Sequence, residues 1–134
     1  MNSNKSNNKL VINTFISELT NFVELLCTLL PDSKEIQQNK TYFLTCKKVN
    51  PRAIILSWQT DVADHFKKPI AEGDIQFFAS HDYQNDSNFR DYSSFIVKMF
   101  ENLKKNIEKL KEEDKQTSIT YIQNLSKISN LYIL

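Results

Sequence analysis

The stretch Leu10–Pro31, which reads LVINTFISELTNFVELLCTLLP, decides the fold class of this chain. Its apolar residues recur at alternating spacings of three and four: Ile12, Phe15, Leu19, Phe22, Leu26 and Leu29. Such spacing places side chains on one face of an α-helix. Four more apolar residues lie beside that face: Val11, Ile16, Val23 and Leu30. A face this wide predicts a helix at the centre of a bundle, and Pro31 ends it.

Two further long helices are predicted directly after this one. Asp32, with Glu35 in the capping-box position, predicts the start of a second helix that ends near Lys48. Its inward residues would be Ile36, Phe43 and Cys46, with Val49 as a candidate for the same face. Asn50-Pro51 predicts the start of a third helix, because asparagine caps free amides and proline fits a first turn. Its inward residues would be Ile54, Ile55, Trp58, Val62 and Phe66, and Pro69 would stop or kink it.

One short helical turn and two more long helices complete the prediction. Gly73 is expected to end a helix, and Asp74 to cap a short turn that carries Ile75, Phe77 and Phe78. A long helix is predicted from about Ser87 to Glu113, and a last one from about Thr117. The chain is therefore predicted to be all-α. We expect a compact bundle of five long helices plus one short turn, as a single domain at residues 10–134 behind a disordered tail at residues 1–9.

Gly73 is the only glycine among 134 residues, and this scarcity excludes several classes of enzyme. Loops that hold phosphate groups need several glycines so that backbone amides can approach the anion. The sequence therefore excludes a P-loop, a dinucleotide-binding loop and a kinase-type loop. Cys27 and Cys46 form no CxxC motif, and we interpret them as reduced, half-buried thiols. No cofactor is predicted.

The N-terminal residues 1–9 are polar and lack the hydrophobic run of a signal peptide. The longest unbroken apolar runs fall far below the roughly 18 residues that would span a bilayer. We therefore expect a soluble, intracellular protein that does not enter a membrane.

The net charge of +1 gives no strong indication of a nucleic-acid partner. A duplex-binding domain usually carries a basic stripe, because neutralising phosphates supplies most of its non-specific affinity. The best candidates for such contacts are Lys47, Lys48 and Arg52, around the link between the second and third helices. A cluster this small is more often a solvated surface. A nucleic-acid-binding accessory protein therefore remains an alternative.

Asp61 and His65 lie one helical turn apart and could present two metal ligands. His81-Asp82 and Asp86 could supply more if the loop that carries them folded back. A metal site needs at least three converging ligands and partners that orient each imidazole. Surface ion pairing and capping explain the same residues more simply. A metal-dependent enzyme is a further alternative, and no catalytic residue is predicted.

Aromatic residues in the centre and at the end of the chain favour partner binding. Phe77 and Phe78 are adjacent, so on a helical turn they point about 100° apart and cannot share one narrow seam. Either both pack in the core, or one of them forms a partner-binding surface with Tyr83. The apolar C-terminus, with Tyr132 and Leu134, implies docking, either within the chain or against a second copy.

Several residues of the central region stand out as a set: Asn50-Pro51-Arg52, Trp58, Ile70, Gly73-Asp74, Phe77-Phe78, Asp82-Tyr83 and Asp86. This set resembles small, all-helical proteins of nucleocytoplasmic large DNA viruses of the mimivirus and marseillevirus kind. The resemblance covers about residues 10–110. It implies a virion-associated or infection-stage accessory protein, located in the virion or the host cytoplasm. It implies no catalytic residue and no ligand.

The sequence as a whole favours a non-enzymatic helical interaction module. We expect it to self-associate as a homo-oligomer, for example a homodimer, and to act with a viral or host protein partner. A bundle that captures a host amphipathic helix is a further alternative, which an exposed apolar groove in the structure would favour.

Overall fold

The computed structural model describes residues 2–87 and 94–133, without the side chains of residues 2–6 and of Ser94. Across these residues the regular structure is helical and contains no strand, which confirms the all-α prediction. The helices are α1 (Asn2–Leu29), α2 (Lys34–Val49), α3 (Pro51–Ser57), α4 (Lys67–Glu72), α5 (Ile75–Ser80), α6 (Ser94–Asn106) and α7 (Glu112–Ser129). The described residues thus form seven α-helices instead of five long ones and one short turn.

Helix α1 packs most extensively against α7 and also against α2 and α3. Its predicted inward face is confirmed, since Phe15, Leu19 and Phe22 are fully buried. The helix begins at Asn2 rather than Leu10, so the prediction of a disordered tail at residues 1–9 differs from the structure. A polar contact explains part of this difference. The Asn8 side chain donates to the Ile133 carbonyl at 2.7 Å and accepts from the Ile133 N–H at 2.9 Å.

One described helix segment, Asn7–Leu29, has the length and composition to cross a membrane. Counting unbroken apolar runs missed it, because polar residues interrupt the apolar face. A core helix of a soluble protein and a signal sequence near an N-terminus have the same composition, and 28% of the apolar window of α1 is buried.

The starts of α2 and α3 show how short polar links end one helix and begin the next. Ser33, not Asp32, caps α2, with its hydroxyl accepting from the Ile36 N–H at 3.3 Å. The predicted cap of α3 is confirmed, because the Asn50 side chain accepts from the Ala53 N–H at 3.1 Å and Pro51 is the first helical residue. Both caps satisfy amides that have no partner within the helix.

A π-helical segment, Trp58–Ala63, continues α3, and a turn separates it from α4. The break expected at Pro69 is therefore misplaced, because that proline lies inside the first turn of α4. The buried residues recur every four positions: Ile54, Trp58, Val62 and Phe66. In an α-helix each such step is offset by about 40°, so the stripe would drift away from the core. The wider π turn reduces this drift and keeps all four side chains inward.

Gly73 ends α4 in the left-handed conformation, with φ 65° and ψ 37°, as predicted. The Gly73 N–H donates to the Ile70 carbonyl at 3.1 Å, and the Asp74 N–H donates to the Pro69 carbonyl at 2.9 Å. These two bonds form a Schellman motif. The Asp74 carboxylate then caps α5 by accepting from the Phe77 N–H at 3.1 Å, which confirms its predicted role.

The helix predicted from Ser87 to Glu113 is wrong at its C-terminal end, because α6 ends at Asn106 and a 3₁₀ turn, Ile107–Lys109, follows. Leu110 then adopts an extended conformation and is buried, which redirects the chain into α7. Helix α7 begins five residues before the predicted Thr117. Its first turn contains the carboxylates of Glu112, Glu113 and Asp114, which the positive end of the helix dipole favours. Residues 88–93 of the predicted helix lie outside the described residues.

Candidate functional site

The aromatic residues predicted to bind a partner lie mostly in the core of the chain itself. Phe78 and Tyr83 are buried, and Phe77 is half-buried against the same cluster. The Tyr83 hydroxyl donates to the Phe78 carbonyl at 2.7 Å, and both rings stack on Phe100. Burial, with a smaller contribution from the Asp86 charge, raises the pKa of Tyr83 above its usual value, so the phenol remains a donor. The placement of Phe78 and Tyr83 corresponds to the core-packing alternative.

The C-terminal segment also docks within the chain. Tyr132 is buried, and the Gln59 side chain donates to the carbonyls of Ser129 at 2.8 Å and Tyr132 at 3.0 Å. Its neighbours Leu131 and Ile133 remain 64% and 52% exposed. The predicted partner residue Tyr132 is thus not available on the surface, whereas Leu134 lies outside the described residues.

His65 and His81 do converge, but on Asp86 rather than on Asp61 or Asp82. One oxygen of the Asp86 carboxylate lies 2.9 Å from His65 Nε2 and 2.8 Å from His81 Nε2. Each imidazole donates from Nε2, because an ionised carboxylate can only accept. The loop after α5 has therefore folded back, while Asp61 is buried in the π segment and the Asp82 carboxylate accepts hydrogen bonds from Asn85.

We name His65, His81 and Asp86 the histidine cluster, and its side chains are arranged as hydrogen-bond partners rather than as ligands of a metal ion. The Asp86 side chain is only 8% exposed, and the distances are those of charge-assisted hydrogen bonds. Within residues 2–87 and 94–133, no group of three or more His, Cys, Asp or Glu side chains is placed to hold a metal ion. The cluster fastens the loop after α5 to the turn before α4, and Lys104 adds a bond to the His81 carbonyl at 2.8 Å.

The three basic residues of the nucleic-acid alternative do not form one exposed basic patch. Lys47 is half-buried, with its ammonium 3.4 Å from the Thr20 hydroxyl and 5.5 Å from the centroid of the Phe43 ring. Lys48 and Arg52 are exposed at the junction of α2 and α3. Two exposed cations offer few phosphate contacts, so this surface supports duplex binding weakly.

A concave apolar surface lies next to these cations. We name it the α2–α3–α6 groove, and it has a cavity volume of about 320 Å³. Its lining residues are Tyr42, Thr45, Cys46 and Val49 of α2, Asn50, Ala53, Ile54 and Ser57 at and within α3, and Phe95 and Ile96 of α6. The volume is close to the lower limit of typical ligand pockets, roughly 300–1,000 Å³.

Val49, expected at the inward face of α2, is instead 79% exposed in this groove. The buried face of α2 is formed by Ile36, Asn39 and Phe43. Val49 follows Phe43 by six residues, which rotates it by about 240° from that face. A sequence signal for the groove did exist: Tyr42, Cys46 and Val49 are spaced at four and three and form a second apolar stripe on α2.

The two cysteines differ in environment, which predicts a difference in reactivity. Burial raises the pKa of Cys27, so less of the reactive thiolate forms at a given pH, whereas Cys46 is half-buried in the groove. We expect one thiol per chain to react with a disulfide reagent near pH 8, and two in denaturant. Peptide mass spectrometry should locate the fast adduct on Cys46. Modification of Cys27 first in the folded protein would contradict the described packing.

Three features are thus candidates for function: the histidine cluster, the cations near the α2–α3 junction and the α2–α3–α6 groove. Of these, the groove combines a concave shape with exposed apolar side chains, which is typical of binding sites. No family model, no curated protein and no solved structure matches this chain, so its function is inferred from these residues.

Proposed function

We propose that this chain is a non-enzymatic helical interaction module that receives the apolar face of an amphipathic helix in the α2–α3–α6 groove. One observation carries the proposal: Val49 and Tyr42 are 79% and 40% exposed and line the groove together with Cys46, Ala53 and Ile54. A helix docked in a groove is recognised through side chains at positions i, i+3, i+4 and i+7. The stripe on α2 has this same spacing, which suits a partner helix lying along it.

The histidine cluster supports the enzymatic alternative less well than the groove supports helix binding. Both imidazoles use Nε2 to hold Asp86, and the bonds fasten a loop. The proposed setting is that of an accessory protein, in a virion or in the host cytoplasm. This setting follows from the resemblance to proteins of large DNA viruses.

A synthetic peptide would test the proposed function. It should be about 18 residues long, enough for measurable helicity, with leucines on one face and glutamine elsewhere, and carry a fluorophore for anisotropy. We expect binding in the micromolar range. Val49→Ser should weaken it by about tenfold, because roughly one buried apolar side chain is lost from the contact.

Leu44→Ser provides the matched control. Leu44 is also exposed on α2, at 36%, but it does not line the groove. We expect this variant to change the affinity by less than about twofold. Circular dichroism should show both variants folded. Absence of peptide binding at high micromolar protein, or equal effects of the two substitutions, would refute the groove as the binding surface.

Self-association is a second candidate, favoured by the exposure of Leu131 and Ile133 near the end of the chain. Contacts between such residues in two copies could form an isologous dimer. Light scattering coupled to size exclusion should then give a dimer that Leu131→Ser and Ile133→Ser convert to a monomer, while Val49→Ser leaves it intact. A monomer at high micromolar concentration would argue against this candidate.

A further inference from the structure

Exposed cations lie near both ends of the α2–α3–α6 groove. Lys48 and Arg52 are exposed and lie next to Val49 and Ala53 at one end of the groove. At the other end, the Lys98 ammonium lies 5.4 Å from the centroid of the Tyr42 ring. Tyr42 and Val49 are seven residues apart on α2, which is about 10 Å along the helix axis.

The groove itself contributes no opposing charge. None of its described lining residues is acidic. At the Tyr42 end the charge is mixed, because Glu35 and Glu101 line the neighbouring cleft together with Tyr42 and Lys98. An apolar floor with the two exposed cations Lys48 and Arg52 at its other end is complementary to an apolar face with carboxylates beside that end.

From this complementarity we infer that the occupant of the groove is an acidic amphipathic helix of another protein. The inference rests on the proposed function, because it specifies the partner of the same site. Such a helix would present apolar residues over about two turns, with Asp or Glu at the end of that stretch that meets Lys48 and Arg52. A second copy packed groove to groove would instead bring Lys48 and Arg52 of both copies together, which like-charge repulsion disfavours.

Three peptides with the same leucine face would test this inference. The first carries glutamate beside the leucines, the second glutamine and the third lysine. Exposed ion pairs each change affinity by up to about fivefold, so the glutamate peptide should bind about tenfold more tightly than the glutamine peptide. This advantage should shrink as salt is raised, because salt screens exposed charges. The lysine peptide should bind most weakly.

A charge reversal provides the decisive variant. The double variant Lys48→Glu/Arg52→Glu should prefer the lysine peptide to the glutamate peptide. Its matched control is Lys9→Glu/Lys111→Glu, which changes the net charge equally at exposed positions on α1 and before α7. This control should keep the preference for glutamate.

The outcomes distinguish the proposed function, helix binding in the groove, from the inference that the bound helix is acidic. If the glutamine peptide binds in a way that depends on Val49 but glutamate and lysine peptides bind equally, the acidic partner is refuted and the proposed function stands. If no peptide binds, both are refuted. If sedimentation shows a dimer that Val49→Ser dissociates, the occupant is a second copy and the inference is wrong.

Discussion

Replacing Trp58 with alanine is expected to lower the free energy of unfolding by about 4 kcal/mol, the typical cost of removing a large buried aromatic side chain. The Trp58 ring is fully buried in the π segment. It contacts Phe15 and Phe100 at centroid distances of 5.9 and 5.7 Å, and its Nε1–H donates to the Ser126 hydroxyl at 3.1 Å. The substitution therefore opens a cavity where α1, α6 and α7 meet, and it leaves a hydroxyl without this donor.

Urea unfolding followed by circular dichroism would measure this loss, because Trp58 is the only tryptophan and its fluorescence disappears with it. Two further variants separate the contribution of the hydrogen bond from that of the ring packing. Ser126→Ala should cost about 2 kcal/mol, since it keeps the ring packing but removes the acceptor of the Trp58 N–H and the bond of the Ser126 hydroxyl to the Ile122 carbonyl. Trp58→Phe should lie between the two, because it keeps part of the ring packing. A loss below about 1 kcal/mol for Trp58→Ala would show that this residue is not a central contact.

Replacing Asp86 with alanine is expected to lower the free energy of unfolding by about 2 kcal/mol, since hydrogen bonds to charged groups stabilise more than neutral ones. The substitution removes the acceptor for both His65 and His81. Their side chains are 34% and 23% exposed, so water replaces part of what is lost. Amide hydrogen exchange in the loop after α5 should increase more than exchange in α1.

Asp82→Ala is the matched control for this prediction. Asp82 lies four residues earlier in the same loop, and its carboxylate accepts from the Asn85 backbone and side chain at 3.3 and 2.6 Å. It is exposed to solvent, so the change in unfolding free energy should stay within about 0.5 kcal/mol. Equal effects of the two substitutions would mean that the histidine cluster does not fasten the loop.

The residues that could be predicted correctly are those whose role depends on local sequence. Asn50, Gly73 and Asp74 end or begin helices through bonds to residues within five positions, and all three were assigned correctly. The inward position of Trp58 followed from apolar periodicity, and the burial of this residue confirms it. These assignments need no knowledge of how the helices pack.

The parts that were missed depend on tertiary contacts. The break after Asn106 follows from the burial of Leu110, and the π segment from the need to keep Val62 and Phe66 on the core side. The groove required knowing that α2 buries Phe43 and leaves Val49 outside. Periodicity identifies apolar stripes but does not state which of two stripes on one helix is covered.

The packing of α1 against α7 has a consequence for synthesis on the ribosome. About 80 residues separate the end of α1 from the start of α7, and translation adds roughly 5–20 residues each second. The apolar face of α1 therefore emerges several seconds before its principal neighbour exists. During that interval the apolar face of α1 is exposed on the nascent chain, so chaperones or early contacts with α2 must protect the chain from aggregation.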